Sequence, residues 1–390
     1  MQDAIWSRTL LPATRDALLA SDPLPATADV VVVGAGLVGL CAALSLRRRG
    51  VDKVVVMDRR SVCGESTGAS AGGLWPGHEC LTLASPDIAR NARDLHAALR
   101  EEFACDYVGC GVLRLMDEGE ASRGLARVER TRKAGFAAEL LTGGDLAACE
   151  PLLRHAGAAI RFPGDGSIHP LKLAAGIAEW LRGNGVKICL NAEVLGIAPA
   201  PIAVTTSAGR MAAGSIVVAA GAWTPLLTKM LGWRPPIRPI RGTLLATDKQ
   251  PAGTLRSIVI GQRYYYWQLA CGPLAGGGSE EDVGFEAGSD GAVAADIRRE
   301  WGSLFPSLRG LRFTSCWSGF RPFCEDMQPV IGRVPGCDGV YVSAGHFRKG
   351  ILLAPLSGEL IADQLLENRQ WRPAKAFRPD RFPLAAQLCQ

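Results

Sequence analysis

Four valines in a row, Val30 to Val33, head the first strongly apolar stretch of the chain, and Gly34, Gly36 and Gly39 follow them. A run of that length without alternation predicts a strand buried on both faces, as in a parallel sheet. From 37 to 49 the spacing becomes helical, with Arg47, Arg48 and Arg49 at the negative end of the dipole and Gly50 as the stop. Val54–Met57 repeats the buried-strand pattern and ends at Asp58, completing a β–α–β unit. The uncharged stretch from Val30 to Leu46 falls short of a membrane span and is better explained as strand running into helix.

Further on, helical spacing recurs over 86–103, where Ile88, Leu95 and Leu99 share a face, and again over 121–134, 170–182 and 351–366. Short helices are predicted at 14–20 and Gly143–Cys149. Strands are predicted at Val112–Met116, 186–190, 215–219 and 340–343. The segment 258–285 mixes aromatic and β-branched residues with glycines, which predicts antiparallel strands. This order predicts one α/β nucleotide-binding domain assembled from 28–80, 168–235 and 330–372, with a strand-rich substrate domain from 81–167 and 236–329. Residues 1–27 form an N-terminal extension punctuated by Pro12, Pro23 and Pro25, and 373–390 a C-terminal tail.

Composition narrows the class. Of 390 residues, 48% are hydrophobic and 21% charged, which is ordinary globular usage. The net charge of +5 with no basic run longer than Arg47-Arg48-Arg49 predicts no nucleic-acid partner. Twelve cysteines contain no C-x-x-C pair, so neither a zinc nor an iron–sulfur site is expected, and a reduced, cytoplasmic protein with mostly buried thiols is. The N-terminus carries Asp3, Arg8, Arg15 and Asp16 and no apolar core of a secretory signal.

The chemistry sits first in Gly34-Ala35-Gly36-Leu37-Val38-Gly39, a G-x-G-x-x-G string between a predicted strand and helix, with Asp58 ending the next strand. The first two glycines permit a tight turn and close backbone approach of a pyrophosphate to the helix N-terminus, the third permits close helix–strand packing, and Asp58 can accept from a ribose hydroxyl. The position of the motif at the first strand favours FAD over NAD. So does a second segment late in the chain, Tyr341 to His346 followed by Gly350-Ile351 and a helix, whose N-terminus can stabilise negative charge on a reduced flavin.

Five segments carry a family resemblance: GAGLVGL at 34–40, GESTGASAGGLWP at 64–76, AAGAWT at 219–224, CWSGFRPFCEDMQPVIG at 316–332 and SAGHFRKGILLAPLSGELIADQLL at 343–366. With these the chain resembles the FAD-dependent amine and D-amino acid oxidases of the glycine oxidase group, which includes the small FAD subunits of hydrogen cyanide synthase, opine oxidase and D-hydroxyproline dehydrogenase. The resemblance implies an FAD-binding Rossmann-like domain of the glutathione-reductase/p-hydroxybenzoate-hydroxylase type plus an α+β substrate domain with a mainly antiparallel sheet. It implies that FAD is held by Gly34, Gly36, Gly39, Asp58 and Arg59, by Ser66, Thr67, Ala71, Gly72, Gly73 and Leu74, by Val194, Gly221 and Trp223, and by Gly345, His346, Arg348, Lys349, Gly350 and Ile351. Arg321 matches the arginine that grips a substrate carboxylate, and Tyr265, flanked by Tyr264 and Tyr266, the tyrosine that assists it; Arg348 joins them as a catalytic candidate. The implied reaction is hydride transfer from the carbon beside nitrogen to flavin N5, which needs no general base, and hydrolysis of the imine to a keto acid.

Several positions carry two readings. Arg321 is a carboxylate clamp or an ion-pair partner of Glu325 or Asp326. Cys316 falls near where sarcosine oxidases attach FAD covalently, and a buried packing thiol is the plainer reading. Glu280 stands near the position of an oxygen-activating lysine, which keeps dehydrogenase subunits of a hetero-oligomer in play beside oxidases. Lys349 either compensates at the flavin edge or faces solvent. His346 is expected as a hydrogen-bond donor to the flavin, while His78 stays unassigned. A non-catalytic electron-transfer subunit is the reading outside enzymes, and an intact Arg321 and tyrosine cluster argues against it. A homo-oligomer remains open as well.

Overall fold

The computed structural model describes residues 4–382 apart from positions 118, 156, 368 and 370. The last eight residues of the expected tail and the first three of the extension lie outside the described residues. The Val30–Val33 run does form the centre of a sheet. Thr27–Val33 is flanked in parallel by Val54–Met57 and Gly209–Val218, which in turn pair in parallel with Lys187–Cys189 and Val340–Ala344. Val330–Arg333 closes one edge antiparallel, and a hairpin of Val194–Pro199 and Ile202–Thr206 branches from Gly209–Val218.

Alternate residues of the central strands feed two cores. Val30, Val32, Val54 and Val56 face the helices Leu37–Arg48, Pro170–Gly183 and Gly350–Glu367, whereas Val31, Val33, Val55 and Met57 face the branching hairpin and Trp233. Burying a valine on each side is worth roughly 1.5–3 kcal/mol per side chain, which is why no polar residue falls within Val30–Val33 or Val54–Met57.

The second sheet is the part the sequence pattern conceals. Its strands run in the order Phe313–Cys324, Ile237–Lys249, Pro273–Gly277, Tyr265–Gln268, Ile258–Ile260, Val112–Met116, Ala158–Phe162, Glu139–Leu141. Every pair is antiparallel except Ile258–Ile260 with Val112–Met116. The two longest strands of this sheet, Ile237–Lys249 and Phe313–Cys324, were not predicted, because Pro239, Gly242, Gly319 and Pro322 interrupt both runs. One face of this sheet joins the core of the first, and the other is covered by the helix Gly291–Leu304.

The helix Pro86–Glu102, which opens the segment read as substrate domain, packs on Gly350–Glu367 of the nucleotide-binding side. Pro355 sits inside the latter helix and has no N–H for the carbonyl of Ile351. His96 of the packing helix fills that gap, with Nε2 2.7 Å from Ile351 O. Burial pushes the His96 imidazole down to about 4, so it stays neutral and Nε2 carries the donated proton.

Candidate active site

A cavity of about 460 Å3 lies where the two sheets meet. Gly34 stands at its base with φ +115°, and a Cβ there would come within 2.4 Å of Ala219 O, so neither the backbone angle nor the space admits another residue. Leu37 N, in the first turn of the following helix, donates to Thr67 Oγ1 (3.2 Å), tying the helix N-terminus to the Gly/Ser-rich loop. Asp58 accepts from Ala35 N and Arg60 N, each at 2.9 Å. Burial raises its carboxyl against those two bonds.

Of the residues expected to hold FAD, Gly34, Gly36, Asp58, Arg59, Ser66, Thr67, Ala71, Gly73, Val194, Gly221, Trp223, His346, Arg348, Lys349, Gly350 and Ile351 line this cavity. Four do not. Gly39 backs onto Gly34 O, Gly72 onto Ile168 O and Gly345 onto Cys324 and Ile237, while Leu74 is buried in the core beside Gly166. Their places in the motifs reflect close packing, backbone on backbone at Gly39 and Gly72, backbone on side chains at Gly345 and a core side chain at Leu74.

The substrate end is built on the second sheet. Arg321 extends across Gly242, where a Cβ would fall 2.2 Å from Nη1, and donates to Ser279 O at 2.6 Å. Tyr265 stands against the preceding residue of that segment, its Oη 2.8 Å from where a Cβ of Gly278 would be. Arg321 and Tyr265 therefore converge at the turn 278–279. Register separates Tyr265 from its neighbours: Tyr264 donates to Asp296 (2.9 Å) and Tyr266 to Ile297 O (3.1 Å), both on the opposite face of the sheet. Arg321 pairs with neither Glu325 nor Asp326 among the described residues, and Asp326 is taken by Arg381.

Other expectations need correction. Lys349 does not face solvent: it is 4% exposed, and Nζ donates to Met327 O at 3.2 Å. Burial lowers its ammonium, with Glu79 opposing. Cys316 is exposed rather than buried, contacts Ser289 and lies off the cavity wall. His346 spends its donor elsewhere. Ser357 Oγ gives its proton to Leu353 O (2.8 Å), so it accepts from His346 Nε2 (2.8 Å), and burial pushes the imidazole down to about 3. The ring is neutral and offers Nδ1 as an acceptor.

Sequence reasoning missed Trp75, Glu79, Leu244 and Ser343, all on the cavity wall. Trp75 falls within one of the quoted segments, but nothing local to Glu79 marks it as buried. Burial works to raise the Glu79 carboxyl, and hydrogen bonds from His78 and Thr82 overcome it and hold the group down to about 2. His78 is lowered by its own burial, so the contact is a neutral imidazole donating from Nδ1 to a carboxylate. Trp75 Nε1 and Ser343 Oγ are buried without a partner among the described residues. Unsatisfied polar groups on the wall of a largely apolar cavity fit a large ligand that supplies the missing partners, as a flavin does. Among the described residues no group of three or more His, Cys, Asp or Glu is placed to hold a metal, and no helix is long and apolar enough to cross a membrane.

Comparison with known proteins agrees with this geometry. The family described as FAD dependent oxidoreductase matches residues 29–364. Glycine oxidase from Geobacillus kaustophilus is 30% identical over 88% of this chain and 93% of its own length. Its crystal structure superposes with a TM-score of 0.85 over 92% of this chain and 99% of the other. Hydrogen cyanide synthase subunit HcnC from Pseudomonas aeruginosa is 26% identical, covering 93% of this chain and 99% of its own. L-proline dehydrogenase from P. horikoshii superposes with a TM-score of 0.85 at 26% identity, over 92% of this chain and 98% of the other. The two-sheet α/β architecture described above is that of the superposed glycine oxidase.

Proposed function

The chain belongs to the FAD dependent oxidoreductase family, and from that premise we propose that it oxidises the carbon–nitrogen bond of a small amino acid or secondary amine. The observation that carries this reading is the convergence of Arg321 and Tyr265 at the turn 278–279, inside the same cavity as the glycine loop. A guanidinium there takes a substrate carboxylate in a two-pronged hydrogen bond, fixing the α-carbon relative to the rest of the cavity. When bound, FAD supplies the two-electron acceptor for a hydride from that carbon, and water then hydrolyses the resulting imine to a keto acid and an amine.

This chain's residues bind and orient. Gly34 and Gly36 leave room for the pyrophosphate, Asp58 keeps an oxygen lone pair for the ribose, and Ser343 and Trp75 offer polar atoms to the ring system. Tyr265, Trp75 and Leu244 exclude water around the substrate. No side chain has to remove a proton from carbon.

A second reading concerns the electron acceptor. Glu280 forms an ion pair with Arg348 at the cavity rim, and a carboxylate at that place does not attract electrons onto oxygen. This favours a dehydrogenase subunit that hands electrons to a partner chain. The relatives described as an L-proline dehydrogenase and a hydrogen cyanide synthase subunit are in keeping with it. We also place the protein in the cytoplasm, where its buried free thiols stay reduced.

The test is anaerobic stopped-flow reduction of the purified flavoprotein by a panel of amino acids and N-alkyl amino acids, with air admitted afterwards. Bleaching by one of them, and an apparent Kd raised roughly 10–100-fold in Arg321→Met, is the expected result for loss of a charge-assisted pair. Fast reoxidation in air makes it an oxidase and slow reoxidation a dehydrogenase. Equal reduction by Arg321→Met and wild type would sink the clamp.

A further inference from the structure

Arg321 accounts for one anion. The second sheet carries another arginine on the same face. The cross-strand register runs Ile160, Arg114, Ile260, Tyr265, Gly277, Leu244. Ile160, Ile260, Tyr265 and Leu244 all face the cavity-side core, whereas Leu113 and Leu115, on either side of Arg114, face the opposite one. Arg114 therefore stands two strands from Tyr265, roughly 10 Å between backbones, and its long side chain rises from the face that Tyr265 uses. Half-buried, that side chain makes no hydrogen bond or ion pair among the described residues.

Charged groups of both signs lie near it. Burial lowers Arg114, and the nearby Arg348 lowers it further, against Glu120, Glu79 and Glu300. Arg127, on the helix Ala121–Lys133 that covers this part of the sheet, is lowered by its burial and then by Arg114. It lies over the ring of Phe162 and donates to His78 O at 3.2 Å, so no carboxylate neutralises it either. The neighbouring carboxylates make their close contacts elsewhere: Glu280 holds Arg348, Glu120 holds Arg123 at 3.0 Å, and Glu300 accepts from Tyr264 N on the far side of the sheet, while Glu79, hydrogen-bonded to the neutral His78, keeps its charge and acts on Arg114 and Arg127 only at longer range. Neither guanidinium is hydrogen-bonded to a carboxylate, and both lie just off the cavity wall, within electrostatic reach of its residue Glu79; half-buried charges without close partners are costly to fold.

Resting on the amine-oxidation reading, we propose that Arg114 and Arg127 form a second anion subsite beyond Tyr265, so that the substrate is an amino or imino acid with a carboxylate on its far arm. Arg321 takes the carboxylate next to the reacting carbon. The arm runs past Tyr265 and Trp75 and leaves the cavity on the side of Arg348, and its terminal carboxylate meets the unpaired guanidinium of Arg114. A substrate with a neutral arm leaves that charge unpaired and is discriminated against.

Binding to the FAD-loaded protein is read from the shift of the flavin absorption spectrum, which requires no turnover. The probes are succinate, glutarate and adipate beside butyrate, valerate and hexanoate. At one chain length, a dicarboxylate is expected to bind at least tenfold tighter than its monocarboxylate partner. In Arg114→Gln the ratio of the two Kd values collapses toward one, in Arg127→Gln it falls by a smaller factor, and Arg114→Lys restores part of it. Flavin content and circular dichroism check that each variant has folded. Because Arg127 lies on an outer helix, its variant carries the test if Arg114→Gln does not fold. Equal affinities for the two series in wild type, or a ratio unmoved in both glutamine variants, overturn the subsite while leaving the amine-oxidation reading intact. A spectrum perturbed by neither series removes the carboxylate clamp and the subsite together.

Discussion

Glu150 is completely buried at the end of the helix Gly143–Cys149, where Oε2 accepts from Arg256 N and Ser257 N at 2.9 Å and Oε1 has no partner. Burial outweighs those two bonds and pushes the carboxyl up from 4.5 to about 7. The folded chain thus holds a proton over a pH range in which the unfolded chain has released it, so this group costs stability progressively as pH rises from about 4.5 to 7 and in full above that. Glu150→Gln is expected to raise Tm relative to wild type by roughly 2–6 °C at pH 8 and by little at pH 4.5. Thermal melts at the two pH values decide it, and a difference that is equal or larger at the acid end refutes the assignment. Nothing in the sequence near Glu150 announces this, because a carboxylate's burial depends on residues 106 positions away. The same holds for Glu79. By contrast Gly34, Gly36 and Asp58 were readable, since the turn they build is local and its chemistry is fixed by spacing.

Among elements, the helix Gly350–Glu367 depends on a neighbour for its first turn. His96 replaces the hydrogen bond that Pro355 denies to Ile351 O, and Lys349, Gly350 and Ile351 form part of the cavity wall just there. His96→Leu leaves a buried carbonyl without a donor, a loss of about 1–3 kcal/mol. It should lower Tm and weaken FAD binding several-fold, as read by quenching of flavin fluorescence on titration of the apoprotein. Unchanged Tm and affinity would mean that the carbonyl finds water instead. Legibility at this scale followed sequence regularity. Val54–Met57 is an uninterrupted apolar run, whereas Ile237–Lys249 and Phe313–Cys324 are broken by the residues that the site requires: Gly242 to let Arg321 pass, and Gly319 to let Ala69 approach. The same glycines that serve the site hide the strands that carry it.

For the whole molecule, the cavity wall draws on both sheets, from the glycine loop at 34–36 to Tyr265 and Arg321. A ligand that touches both sides binds only when both are formed, so it stabilises them jointly. FAD at a hundredfold excess over its Kd adds about 2.7 kcal/mol to the folded state. Release of flavin fluorescence and loss of far-ultraviolet circular dichroism are expected to coincide on heating, and both to move up when FAD is added. Flavin released in a separate, earlier transition would show the two sheets to be independent. This division was visible in the alternation of β–α units with strand-rich segments, but the attachment of Pro86–Glu102 to the nucleotide-binding side was not. An amphipathic helix declares that one face is buried without saying against what.

The first sheet also sets an early strand, Thr27–Val33, and a late one, Val340–Ala344, on either side of Gly209–Val218. Thr27–Val33 leaves the ribosome some three hundred residues before Val340–Ala344 and the cavity-lining residues up to Leu352. During synthesis the phosphate cradle at Gly34 and Gly36 is complete long before the opposite wall exists. Capture of the flavin therefore waits: the chain stays colourless until the helix Gly350–Glu367 has emerged and docked. The supply of cofactor accordingly bears on the maturation of the chain and leaves its synthesis untouched.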